Sequence, residues 1–256
     1  MQIEQIYPFV LVILFAVAAG VVGSFAYMKR MLLASDVISH LALPGLGIAF
    51  LLKYNPLTGG AISLFLGTLL IWRIQQRSGL GIDATVGIVF AASLAIGAAV
   101  TPNEDLLEAL FGASQRLSFI ALLIGSAAVF VVLLSIFRLK HQLALSVFSP
   151  DLAAATGVRV SRLDLYFLLL FSLTVLVGLR FMGALLGSAL IIVPAATANQ
   201  LTSKMSDFVI ASCAASVLSV SLGWTLNLLL LHSSTPGPSI AIVSALLFGA
   251  SLLKKI

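Results

Sequence analysis

Charge is what this chain has least of. Asp, Glu, Lys and Arg make up 9% of its 256 residues against 61% hydrophobic residues, where soluble domains carry about a quarter charged residues. A water-soluble fold is excluded, because there is too little polar side chain to cover one. The one cysteine, Cys213, lies in an apolar stretch, which excludes a disulfide framework and a thiolate metal cluster. Neither a GxxxxGK[ST] phosphate loop nor an HExxH helix occurs, so nucleotide hydrolysis or zinc proteolysis would have to come from another chain. The opening MQIEQIYPF lacks the cationic start of a cleaved signal, and the first apolar run is expected to stay as a permanent span. Repeats, low-complexity tracts and long linkers are absent as well.

What the chain does have is apolar runs, with a mean hydropathy of +1.17. They predict an all-α, polytopic integral membrane protein of about nine transmembrane helices, eight to ten being compatible, in a single transmembrane domain over 1–256. The expected spans are 7–28, 31–52, 57–72, 84–101, 117–137, 163–180, 183–201, 207–231 and 238–253. With the N-terminus outside, eleven basic residues fall on inner loops and three, Lys53, Arg116 and Arg180, fall outside. That asymmetry predicts N-out, C-in. It also explains the net charge of +5 without a nucleic-acid partner. Gly183 and Gly187, in GxxxG spacing, are expected to serve close helix packing.

The most informative stretch is Lys29–Lys53, KRMLLASDVISHLALPGLGIAFLLK. Asp36 and His40 are four residues apart and share a face of a helix. Pro44 follows four residues later and would free the carbonyl of His40, with a flexible Gly45 beside it. With the helix starting at Met31 on the inner side, Asp36 lies ~8 Å and His40 ~14 Å into a ~30 Å core. Ionisable groups at such depth usually face a bundle interior or a wet path. A carboxylate and an imidazole suit zinc or another first-row divalent ion, and a two-ligand station can release its cargo. The same residues would also serve as a helix cap and a backbone-bonded histidine.

Two further segments stand out. In 148–162, FSPDLAAATGVRVSR, Ser149 or Asp151 can cap a short helix, Pro150 suits its first turn and Gly157 its end. Flanked by Arg138, Lys140, Arg159 and Arg162, this helix is expected in the cytosol, as a dock for a soluble partner or as an ordinary ordered loop. In 190–202, LIIVPAATANQLT, Pro194 frees the carbonyl of Leu190 and Thr197 and Asn199 add polarity. They are candidates for a hinge or a path lining, though a kinked packing helix explains them too. His232, in the outer loop before Pro236, reads as solvated.

Taken together, Gly23-Ser24-Phe25, Lys29-Arg30-Met31 and Asp36-x-x-Ser39-His40 with Gly45 resemble the opening of permease subunits of zinc and manganese ABC importers. The likeness continues through Leu110-Phe111-Gly112, through Ser149-Pro150-Asp151-Leu152-Ala153 with Gly157, and through Val193-Pro194-Ala195-Ala196-Thr197-Ala198. It ends at Gly237-Pro238-Ser239 and Lys254-Lys255, so it covers nearly the whole chain in order. Within the family the chain is most similar to bacterial zinc-importer permeases. It departs from many members just before Thr235-Pro236, where His232-Ser233-Ser234 stands in place of an Asp.

The resemblance implies a homodimeric, multi-pass subunit of the bacterial plasma membrane, embedded in membrane lipid. It implies a separate cytoplasmic ATP-binding pair and an extracytoplasmic metal-binding protein as partners, and no enzyme activity in this chain. No cofactor is expected to be held permanently; the divalent metal, zinc before manganese, is cargo. Asp36 and His40 match the pair associated with the metal path, and 149–157 matches the ATPase-coupling region. An ABC permease for a metal chelate such as a siderophore or cobalamin, and a proton-driven carrier using Asp36, are the alternative expectations. An intramembrane enzyme ranks last, since no second acid or nucleophile lies near His40 in the sequence.

Overall fold

The computed structural model describes residues 3–100, 119–231 and 236–253. Within these the chain is helical throughout, with no strand. In order the helices are α1 (Ile3–Met28), α2 (Ala34–His40), α3 (Leu43–Leu51), α4 (Pro56–Ser78), α5 (Ile82–Val100) and α6 (Phe119–Phe148). Then follow α7 (Pro150–Ala155), α8 (Val160–Met182), α9 (Ala184–Leu201), α10 (Met205–Leu226) with a π-turn over Asn227–Leu231, and α11 (Gly237–Leu253). Helices are the expected answer for so apolar a chain, because a helix satisfies its backbone polar groups within itself.

Among the described residues, seven segments are long and apolar enough to cross a membrane, with α2–α3 counted as one. The helices over 186–201 and 237–253 are apolar but shorter. The predicted boundaries are met to within a few residues except at four places. The span expected over 57–72 continues to Ser78, so Arg73 and Arg77 are on helix α4 rather than in a loop. The span expected over 117–137 continues to Phe148, so Arg138 and Lys140 are on helix α6 rather than in a loop. The span expected over 207–231 ends in the π-turn. The largest difference is in 31–52, where one span with Pro44 inside it is expected and two helices are found. Leu110–Gly112, Arg116, His232 and Lys254-Lys255 lie outside the described residues.

Helix α1 is central. It packs against α10, α9, α6 and α8, burying Phe15, Ala16, Ala19 and Val22. Small residues bring α10 close: Ser212 Oγ donates to the Gly20 carbonyl at 2.8 Å. Helix α2 is ringed by α9, α5, α8 and α4, and α3 lies on α4 and α5. Helices α4, α5 and α6 keep apolar outer faces, with Ile62, Leu66, Ile88, Ile96, Leu123 and Phe130 exposed, as a lipid-facing ring requires. A single residue, Gly183 (φ 86°, ψ 165°), joins α8 to α9. Of the expected glycine pair, Gly187 packs closely, its missing Cβ falling 3.1 Å from the Gly178 Cα. Gly183 is the joint.

Candidate functional site: the α2–α3 break and the α7 end of the bundle

Helix α2 stops at His40 because the next two amides turn inward. Leu41 N–H bonds the Ile38 carbonyl (3.0 Å) and Ala42 N–H the Ser39 carbonyl (3.4 Å), tightening the chain before α3 starts. Pro44 then falls in the first turn of α3, where its missing N–H has no helical partner to lose. Pro44 therefore starts a new helix instead of kinking an existing one. The Leu41 carbonyl at the break accepts a bond from Ser63 Oγ of α4 at 2.7 Å. Gly45 and Gly59 let α3 and α4 touch: a methyl on Gly45 would collide with the Gly59 carbonyl oxygen and with Ser63 Cβ.

Asp36 does not cap α2. Leu33 holds the cap position and no side-chain cap bond forms. Instead Ser188 Oγ, from α9, donates to Asp36 Oδ1 at 3.4 Å, while Ser39 Oγ closes onto the Asp36 backbone carbonyl at 2.6 Å. Asp36 and His40 are both half-buried. The His40 ring lies against Phe90 of α5, with centroids 5.6 Å apart and planes at 57°. Asp36 is thus held from α9 and His40 is packed from α5, so the pair lies between two elements far apart in sequence. Among the described residues no group of three or more His, Cys, Asp or Glu side chains could hold a metal ion. Asp36 and His40 therefore have no third such side chain grouped with them among the described residues.

At the α1–α2 end of the bundle a cavity of about 600 Å³ is lined by Tyr27, Arg30, Leu33, Phe148, Asn199 and Lys204, among others. It reaches Leu33, three residues before Asp36. The turns at 29–33, 148–149 and 202–205 therefore share one end of the molecule, and Arg30 and Lys204 are gathered there, as the basic-residue pattern requires. Of the residues singled out around Pro194, Asn199 lines this cavity. Thr197 is buried with Oγ1 on the Val193 carbonyl at 2.9 Å, and Pro194 lies inside the unbroken helix α9.

Helix α7 forms from the residues that predicted it. The Ser149 side chain accepts from Leu152 N–H at 3.4 Å and Pro150 opens the first turn. Gly157, at φ 85°, ends it, with Val158 N–H returning to the Ala153 carbonyl at 3.0 Å. Ala153 is buried, whereas Asp151 and Leu152 face outward. One connection was not visible in the sequence: Lys29 Nζ pairs with Asp164 Oδ1 at 2.6 Å, tying the end of α1 to the first turns of α8. A cation and an acid 135 residues apart carry no pattern that could have joined them.

Comparison with known proteins follows the same outline. The chain is 32% identical over 244 residues to the manganese import system permease protein ScaB of Streptococcus gordonii, covering 92% of this chain and 86% of the relative. It is 28% identical over 259 residues to the high-affinity zinc uptake system membrane protein ZnuB of Haemophilus influenzae, covering 98% of each. Among solved structures, PsaBC from Streptococcus pneumoniae in complex with Fab superposes with a TM-score of 0.82 at 25% identity, over 98% of this chain and 91% of that one. A metal-chelate type ABC transporter in an inward-facing conformation superposes with a TM-score of 0.73 at 17% identity, over 95% of this chain and 84% of that one, and shows the shared fold alone. Residues 4–255 match the ABC 3 transport family, and the chain is a member of that family: a multi-pass membrane permease of the metal ABC transporter type, a transport component rather than an enzyme.

Proposed function

We propose that this chain is the membrane-spanning half of an ATP-driven importer of divalent metal ions, zinc before manganese. Two copies would form the pathway in a bacterial plasma membrane, N-terminus out and C-terminus in. A separate ATPase pair would dock on α7, through Ser149, Pro150, Asp151, Leu152, Ala153 and Gly157, and an extracytoplasmic protein would deliver the metal. The observation that carries this reading is the placement of Asp36 and His40 at the α2–α3 break, held between α9 and α5. An ion would meet Asp36 and His40 as a weak two-ligand station and leave toward the cavity that Asn199 lines. Breaks in membrane helices at mid-depth are where transporters of several folds place such stations. In this reading Pro44 and Gly45, in the first turn of α3, and Pro194 and Thr197, in α9, would serve as hinge or path-lining positions. Zinc and manganese both accept carboxylate and imidazole; zinc is put first on the motif resemblance in the sequence alone, since relatives named for manganese and for zinc are both matched.

The test is uptake of zinc and of manganese by cells dependent on this protein, with Asp36→Ala and His40→Ala. Both variants should lose uptake while still assembling with the ATPase. Normal uptake by both would remove the pair from the path.

A further inference from the structure

The proposed docking helix α7 and the proposed station on α2 are on separate stretches of chain. Among the described residues an ion pair, Lys29–Asp164, connects the stretch that follows α7 to the stretch that precedes α2. Helix α7 passes into α8 without slack: Gly157 N–H bonds Ala154, Val158 N–H bonds Ala153, and Arg162 N–H bonds Arg159, each at 3.0 Å. The start of α8 is pinned to α4 by Trp72 Nε1, which donates to the Ser161 carbonyl at 2.9 Å. Asp164, one turn on, then meets Lys29 at 2.6 Å. From Lys29 to α2 the turn is equally stiff. Lys29, Arg30 and Met31 N–H bond Phe25, Tyr27 and Ala26 at 2.9 Å, and Ala34 N–H bonds Met31 at 3.1 Å. Asp36 follows two residues later.

The pair is not an ordinary surface bridge. The Lys29 side chain is 14% exposed and that of Asp164 29%, and the ammonium lies 5.7 Å from the centre of the Phe167 ring. Exposed pairs hold little, but removing one partner of a shielded pair strands the other charge. A small cavity of about 130 Å³, lined by both residues with Gln75 and Phe167, adjoins the pair and leaves it room to shift as a unit.

We propose that Lys29–Asp164 is the strut that carries movement of α7 to α2, and that these two are positioning residues for transport. This rests on the metal-transport reading above. If the pair only packed α1 on α8, breaking it would lower stability and leave coupling alone.

The complex with its ATPase and metal-binding protein, reconstituted in liposomes, separates the two, with ATP hydrolysed per metal ion moved as the readout. Lys29→Met and Asp164→Asn should each raise that ratio at least about fivefold, the low end of coupling effects between sites. Lys29→Arg, and the exchange of Lys29→Asp with Asp164→Lys, should return it toward the wild-type value. A wild-type ratio in both single variants overturns the strut, as does an equal defect in Lys29→Arg and in the exchange. If the single variants fail to accumulate, the exchange decides alone: coupled supports the strut, uncoupled overturns it. A native complex whose hydrolysis is not stimulated by metal would overturn the transport reading itself. A coupled native complex with coupled single variants removes only the strut.

Discussion

Ser188 and Asp36 are 152 positions apart in the chain, yet the serine hydroxyl is 3.4 Å from one carboxylate oxygen of the acid. That contact orients Asp36 through one carboxylate oxygen; if Asp36 serves the proposed metal station, Ser188 is the partner that positions it. Partners that orient a metal-binding carboxylate commonly change metal affinity by about tenfold to a hundredfold when removed. Ser188→Ala should therefore weaken apparent metal affinity within that range while the maximal uptake rate changes little. Ser188→Thr should keep most of the affinity. Concentration-dependent uptake of radioactive zinc or manganese separates the two parameters.

Gly45→Ala sets two effects against each other. Alanine favours a helix over glycine by about 1 kcal/mol. The added methyl, however, meets the Gly59 carbonyl and Ser63 Cβ, and backbone gives way poorly; overpacking of this kind costs about 1–3 kcal/mol. The collision should win, because it forces α3 off α4 and stretches the Ser63–Leu41 bond across the break. A lowered unfolding temperature in detergent, with uptake reduced, is the expected result.

At Gly157 the space is open, with nothing within 4 Å of where a Cβ would stand, but φ is +85°. Gly157→Ala should cost about 1–2 kcal/mol from the backbone alone. Asn tolerates that region better, so Gly157→Asn should recover part of the loss. If α7 docks the ATPase, the same order (Gly, then Asn, then Ala) should appear in how much ATPase copurifies.

The buried Thr68–Ser172 contact at 2.6 Å joins α4 to α8. Thr68 also bonds the Leu64 carbonyl in its own helix at 2.8 Å, so Ser172→Ala leaves it partnered. Hydrogen bonds between membrane helices average about 0.6 kcal/mol, with a maximum of about 1.7. A double-mutant cycle of Thr68→Val with Ser172→Ala should give a coupling inside that range, measured by unfolding in mixed micelles.

The elements were legible in the sequence wherever one residue acts on its neighbours. Ser149, Pro150 and Gly157 predicted α7 to within a residue, and the apolar runs located the spans. The sequence puts Pro44 inside one helix over 31–52, whereas it stands in the first turn of a second helix, because whether a proline interrupts one helix or begins another depends on where the preceding amides turn. Leu41 and Ala42, two ordinary apolar residues, make that choice. Asp36 and His40 were visible as costly groups, but Ser188, Phe90 and Ser63 were not. Each is a common residue in an apolar run, and its role exists only after α4, α5 and α9 have packed around α2.

The one-residue joint at Gly183 has a mechanical meaning. Asp164 lies on the helix before it and Ser188 on the helix after it, so no slack connection separates the ion pair with Lys29 from the hydroxyl that faces Asp36. If the proposed strut operates, a tilt at the foot of α8 would be handed across like the throw of a crank, reaching the acid from the α9 side as well as along α2. Lengthening that joint by even a few residues would leave both helices folded and let the motion run out before it arrived.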